Sequence, residues 1–139
     1  MRIWRISVFS LAVGSTFNPA SAENEWGAFA AACQRGQDIC IGRVVIAGEF
    51  GPTPDAARTA AMAECAIAIS PSSLCRVIHI FNRKCSYIAS GLDPTAKKGG
   101  WAIAANKAAA IAKVSSHGFA SNIKGVGGCV GGQGLMEEW

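Results

Sequence analysis

The sequence predicts an α+β fold: a small antiparallel sheet built from two imperfect strand–helix–strand repeats, covered by two alanine-rich helices and stabilised by disulfides. Three observations predict it. Residues 26–30 and 101–105 both open with tryptophan and continue with small and apolar residues, as short strands do. Each stretch precedes an alanine-rich segment of helical character. Each of those segments is followed by strand-like residues that lead to a cysteine, Cys85 or Cys129, which indicates an internal duplication.

The chain begins with a segment typical of an export signal. Two arginines precede an apolar stretch at residues 6–17, and the small residues Ala20 and Ala22 suit a signal peptidase. Residues 1–22 are therefore predicted to be a cleavable signal peptide, because about 12 apolar residues are fewer than the roughly 20 that span a bilayer. We expect an exported bacterial protein, periplasmic or extracellular, without a membrane span after the leader is removed.

The remaining chain has the size of one domain, predicted over residues 23–134, with a mobile tail at residues 135–139. Half of the 139 residues are hydrophobic, but alanine dominates them, so the core is expected to be made of small side chains. Two of the 13 basic residues lie in the leader, which leaves 11 basic against nine acidic residues. So small an excess of positive charge argues against nucleic acid as a partner.

The first unit is predicted to start with a hairpin and to continue into a helix. Residues 34–38 form a polar turn flanked by Cys33 and Cys40, and residues 41–47 read as a strand. Thr53 is a good helix-capping residue and Pro54 suits the first helical position. The helix is expected to end before Pro71.

The second unit follows a predicted hairpin whose strands are residues 74–81 and 85–89, joined by the polar turn at residues 82–84. Its helix is expected to start at Asn106 and to end before Gly118, a residue type that favours left-handed termini. Residues 123–134 read as a strand weakened by glycine.

Four segments match a known family in order and kind. They are an aromatic-Gly-Ala strand at 26–30, a helix end at 63–65, a Cys-Arg-Val strand at 75–78 and the polar turn before Cys85. The second unit matches at residues 100–104 and at Cys129. The chain thus resembles the domain-of-unknown-function 4189 family of small exported bacterial proteins. The resemblance implies the fold and export, but no catalytic residues and no shared activity. Cys33 and Cys40 lie outside the family pattern.

The six cysteines are expected to form structural disulfides, because exported proteins are oxidised and no Cys-x-x-Cys redox motif occurs. Six cysteines allow 15 pairings. Spacing and the duplication favour three pairs: Cys33 with Cys40, Cys65 with Cys75, and Cys85 with Cys129.

No motif indicates catalysis, a metal or a cofactor, so the prediction is a protein that is not an enzyme. His79 and His117 lack the paired spacing of zinc ligands and read as a strand histidine and a cation at a helix end. No Gly-x-Ser-x-Gly stands in the chain. The alternative is a catalytic triad whose members come together only in the folded chain, which sequence spacing does not test.

Function is therefore predicted only by class. We expect a protein-binding module, such as an inhibitor or immunity-type partner of another exported protein. Its candidate partner-binding residues are Arg83, Lys84, Lys97, Lys98 and Trp101, which could form one positive edge. The alternatives are a structural or stress component of the cell envelope and an envelope hydrolase.

Overall fold

The computed structural model describes residues 24–36, 39–131 and 134–139, so the predicted signal peptide lies outside the described residues. Within these residues the chain forms seven strands and two α-helices, numbered in chain order, with one helix after β2 and the other after β5. Their bounds are β1 (Trp26–Gly36), β2 (Cys40–Gly51), α1 (Pro54–Ala68), β3 (Arg76–Asn82), β4 (Cys85–Asp93), β5 (Lys98–Ala104), α2 (Lys107–Ser116), β6 (Ser121–Cys129) and β7 (Glu137–Glu138).

All strands belong to one antiparallel sheet, in the order β3-β1-β2-β5-β4-β6-β7. The chain from β1 to β3 and the chain from β4 to β6 have the same topology. Each is a hairpin, a helix and a strand that returns beside the first strand of the hairpin. In the sheet, the described residues of the two units pair at two positions between β2 and β5, Cys40 with Gly99 and Ile41 with Lys98.

The predicted class is confirmed at the level of a small antiparallel sheet, two helices and three disulfides, but the described chain contains more strand than expected. Each unit is a hairpin–helix–strand and not a strand–helix–strand. Trp26 opens the first strand of its unit, whereas Trp101 lies in β5, the second strand of the other. The two tryptophans therefore do not occupy equivalent positions. Similar small and apolar residues in both strands of a hairpin make such an alignment ambiguous.

The predicted hairpin around residues 82–84 is wrong, although both of its strands exist. β3 pairs with β1, whereas β4 pairs with β5 and β6. Residues 83 and 84 therefore connect the two units instead of closing a hairpin. Alternating apolar residues predict a strand, but they do not specify its partner.

Three clusters of buried side chains hold the layers together. α1 packs on an alanine-rich face of β1 and β2, because small side chains let the helix approach the sheet closely. α2 packs on β4 and β5. Between the two units lies a central cluster formed by residues of both units and of the chain's last segment. It consists of Phe29, Phe81, Ile88, Val126 and Met136.

Both helices begin where the sequence predicts. The Thr53 hydroxyl accepts a hydrogen bond from the Ala56 N–H at 3.1 Å, and the Asn106 side chain accepts one from the Ala109 N–H at 2.8 Å. Gly118 follows α2 with a φ of +94°, the left-handed conformation expected there.

The six cysteines are joined in the three favoured pairs, and none of them is free. Cys33–Cys40 closes the β1–β2 hairpin. Cys65–Cys75 joins α1 to the segment before β3, and Cys85–Cys129 crosses between β4 and β6. Each disulfide therefore lies within one unit.

Candidate functional site

The predicted partner-binding residues do not form one surface. Arg83 and Lys84 are exposed between β3 and β4, whereas Lys97 and Lys98 are exposed at the turn between β4 and β5. These two turns lie at opposite ends of β4, whose nine residues extend about 30 Å. Trp101 is partly buried against the central cluster, and the Arg76 guanidinium lies 5.8 Å from its ring centroid.

A cleft lies between the outer edge of β2 and the last residues of the chain. The cavity has a volume of about 330 Å³. We call it the β2 cleft. Its lining comes from β2, β6, the end of α1 and the C-terminal segment: Arg43, Val44, Val45, Ile46, Ala47, Gly48, Glu64, Ala68, Ser90, Lys124, Gly125, Val126, Glu138 and Trp139.

The edge of β2 is open there because β5 begins at Lys98, the partner of Ile41, so the later residues of β2 have no β5 residue beside them. Gly42 has a φ of +88°, a conformation that side-chain-bearing residues rarely adopt. The next backbone N–H, that of Arg43, donates to the Gln34 side-chain oxygen at 3.0 Å. Beyond this bulge, among the described residues, β2 pairs with β1 alone. Its other edge therefore faces the cleft.

The opposite wall is the C-terminal segment, for which the sequence predicted a mobile tail. Met136 is buried in the central cluster. Trp139 and Gly125 exchange two backbone hydrogen bonds, of 2.9 and 3.0 Å, and Glu138 pairs with Val126. The segment therefore extends the sheet as β7.

Trp139 packs against Gly125, a position in the neighbouring strand β6 that has no side chain. A Cβ on Gly125 would lie 2.0 Å from the Trp139 ring. The ring also contacts Tyr87, with centroids 6.0 Å apart, and the Lys107 ammonium lies 4.7 Å from its centroid. The Trp139 indole N–H is buried and has no hydrogen-bond acceptor among the described residues. A glycine inside a strand often marks such a close approach, so Gly125 was the sequence signal from which this contact could have been predicted.

Charges of both signs surround the β2 cleft. Glu64 and Glu138 are exposed at its rim, as are Arg43 and Lys124. Glu49 lies beside the neighbouring cavity next to Pro52 and Leu135. Burial raises the pKa of the Glu49 carboxyl, and the negative charges of Glu64 and Glu138 raise it further.

The two histidines occupy the positions that their sequence context predicted. His79 lies in β3 and stacks with Phe29 and Phe81, at centroid distances of 5.9 and 5.7 Å. Burial lowers the pKa of His79, and the charge of Lys84 lowers it further. His117 is the capping residue at the end of α2.

Among the described residues, no three His, Cys, Asp or Glu side chains are grouped so that they could hold a metal ion. Neither described helix has the length and hydrophobicity that crossing a bilayer requires. Comparison with protein-family models, with curated proteins and with solved structures finds no match to this chain.

Proposed function

We propose that the protein is an exported binding module that holds an extended segment of another exported protein in the β2 cleft. The open edge of β2 carries this proposal. An unpaired strand edge offers main-chain donors and acceptors to a further strand, and neighbouring side chains select its sequence. Residues 43–48 line the cleft with such an edge.

The lining of the cleft favours a polypeptide over a small apolar ligand. Its rim carries two cations, Arg43 and Lys124, and two carboxylates, Glu64 and Glu138. Its volume of about 330 Å³ lies at the lower end of the roughly 300–1,000 Å³ typical of small-molecule sites. An extended segment with side chains of both charges would pair with this rim while its backbone bonds to β2.

The other open edge of the first unit is less suited to this role. β3 lies at the margin of the sheet, but its register with β1 shifts at Ile78, between His79 and Val77. A bulge of this kind interrupts the regular row of backbone groups that an added strand needs. The cleft beside β2 is therefore the favoured binding edge.

An inhibitor or immunity-type partner, as the sequence predicts, would work in this way, since it must bind tightly without performing chemistry. Membership of the domain-of-unknown-function 4189 family, which the sequence resembles, is a separate proposal. It is compatible with this role.

Site-specific photo-crosslinking in cells tests the proposal. The full chain, made with its own leader, carries a photo-reactive residue in place of Arg43 at the cleft. A matched control carries it in place of Ala66, which is exposed on α1. We expect one saturable protein adduct from position 43 and none from position 66.

The crosslinked segment is then synthesised as a peptide and added to the purified, oxidised protein. Hydrogen exchange at the amides of residues 43–48 should slow on binding, while exchange in β3 stays unchanged. Equal adducts at both positions, or a bound peptide that leaves the β2 amides unprotected, would overturn the proposal.

A second candidate function is hydrolysis of an envelope polymer, and the Glu49 carboxyl is the observation that favours it. A raised pKa beside other carboxylates is a property of general acids. The test is release of soluble fragments from purified cell wall by the protein and by its Glu49→Gln variant. If the protein releases fragments and the variant does not, the protein is an enzyme and the binding-module proposal is wrong. If the protein instead pellets intact with the wall, an envelope component is favoured.

A further inference from the structure

The end of the β1–β2 hairpin combines exposed isoleucines with cations that form no ion pair with a described carboxylate. Ile39 and Ile41 are 55 % and 48 % exposed, on either side of the disulfide-bonded Cys40. Single exposed apolar residues are ordinary on protein surfaces, and Ile67 on α1 is one of them. The pair at this end differs because cations surround it.

The sheet register brings these side chains together. Ile41 in β2 lies opposite Arg35 in β1 on one side and opposite Lys98 in β5 on the other. Arg43, Lys97 and Lys98 also line one shallow cavity at this end. We call this surface the isoleucine tip. Its residues are Arg35, Ile39, Ile41, Arg43, Lys97 and Lys98.

The positive charge of the tip is only partly offset within the described chain, by Asp93. No ion pair joins any of its four cations to a described carboxylate. The nearest acidic residue in the register is Asp93, opposite Lys98. One Asp93 carboxylate oxygen accepts hydrogen bonds from the backbone N–H groups of Thr95 and Ala96, so it organises the turn.

The shape of the tip favours a surface over a peptide. It lies where the end of the β1–β2 hairpin pairs with the start of β5, beside the β4–β5 turn, and both isoleucines are exposed there. Isoleucine side chains gain by entering the interfacial region of a bilayer, while surrounding lysines and arginines meet lipid phosphates. We propose that the isoleucine tip binds the surface of anionic phospholipid membranes.

Vesicle sedimentation tests this proposal with the protein as cells export it. Vesicles contain phosphatidylcholine alone or phosphatidylcholine mixed with phosphatidylglycerol. We expect binding to the anionic vesicles, weakened by salt, and little binding to the neutral ones. The Lys97→Gln/Lys98→Gln variant should bind about 25-fold more weakly, which corresponds to about fivefold for each cation near an anionic surface.

Two matched controls separate the tip from general effects of charge and hydrophobicity. Arg83→Gln/Lys84→Gln removes the same charge at the opposite end of β4, and Ile67→Ser removes an exposed isoleucine from α1. Both should bind within about twofold of the parent, whereas Ile39→Ser/Ile41→Ser should lose at least about tenfold, since two apolar side chains no longer enter the interface.

Three results would overturn the proposal. They are no binding to anionic vesicles at low salt, equal losses in the two charge variants, and binding to poly-glutamate in place of vesicles. The last would assign the tip to an acidic polypeptide. If the isoleucine variant fails to form its disulfides, the paired charge variants still decide the outcome.

Discussion

Phe119 shows how single glycines set the packing between α2 and the sheet. A Cβ on Gly91 would lie 2.0 Å from the Phe119 carbonyl oxygen, and one on Gly100 would lie 2.6 Å from its ring. Both positions lie within strands, where glycine is otherwise unfavourable. These glycines are therefore required by the close approach of the chain that follows α2.

The Gly91→Ala variant should be less stable by about 1–3 kcal/mol, because the new methyl group meets backbone that cannot rotate away. Gly128→Ala is the matched control, since its Cβ would meet the Phe50 ring at 3.2 Å and backbone, that of Met136, only at 4.0 Å. Urea unfolding with the disulfides intact measures both. Equal losses in the two variants would show that the contact with Phe119 is not what constrains Gly91.

Glu49 gives the protein a pH-dependent term in its stability. Its folded-state pKa is raised by burial first and by Glu64 and Glu138 second. The contribution of Glu49 to the free energy of unfolding is therefore greatest below its unfolded pKa of about 4.3. That contribution is lost as pH rises through its folded-state pKa.

Replacing Glu49 by glutamine should accordingly stabilise the protein near neutral pH and have little effect near about pH 4, where the parent carboxyl is protonated. Urea unfolding at several pH values measures the difference, with Glu25→Gln as the exposed control. A stabilisation by Glu49→Gln that does not vary with pH would contradict this assignment.

At the scale of the element, local signals predicted the helices and long-range pairing escaped prediction. Helix capping depends on residues within one turn, so Thr53, Asn106 and Gly118 could be read directly. The partner of β3 depends on residues some 50 positions earlier in the chain, and no local pattern specifies it. The edge position of β7 and the β2 cleft escaped for the same reason.

Removing the Thr53 hydroxyl should cost about 1 kcal/mol in the free energy of unfolding, since the Ala56 N–H then loses its acceptor. The control is Thr59→Ala, the same chemical change at an exposed position inside α1. That substitution should be neutral or slightly stabilising, because alanine is the better helix former. Urea unfolding measures the stability of both variants. A Thr53→Ala variant as stable as the parent would show that the Thr53 cap does not contribute to the free energy of unfolding.

At the scale of the whole molecule, the central cluster joins two units that share little backbone pairing. Phe29 and Phe81 come from the first unit, and Ile88 and Val126 come from the second. Phe29, Phe81 and Ile88 are the three largest fully buried side chains in the described part of a protein otherwise rich in alanine. Neither unit can bury this face alone, so we expect them to unfold together.

Phe29→Ala should destabilise both units by about 3–5 kcal/mol, because it leaves a cavity at their interface. Phe119→Ala, at a half-buried position within the second unit, should cost less. Trp26 reports on the first unit, and Trp101 and Trp139 report on the second. Variants of the mature chain that retain Trp26 alone or Trp101 alone therefore separate the two signals. Two distinct unfolding transitions in the parent would show that the units are independent.

The placement of the disulfides has a consequence for proteolysis. The peptide bond between the exposed residues Arg83 and Lys84 lies outside all three disulfide-closed loops, since the nearest loop begins at Cys85. One tryptic cut there would divide the oxidised chain into two fragments with no covalent link between them. Each fragment would keep its own disulfides. If the two fragments bind each other again through Phe29 and Ile88, their affinity measures the strength of the contact between the units directly.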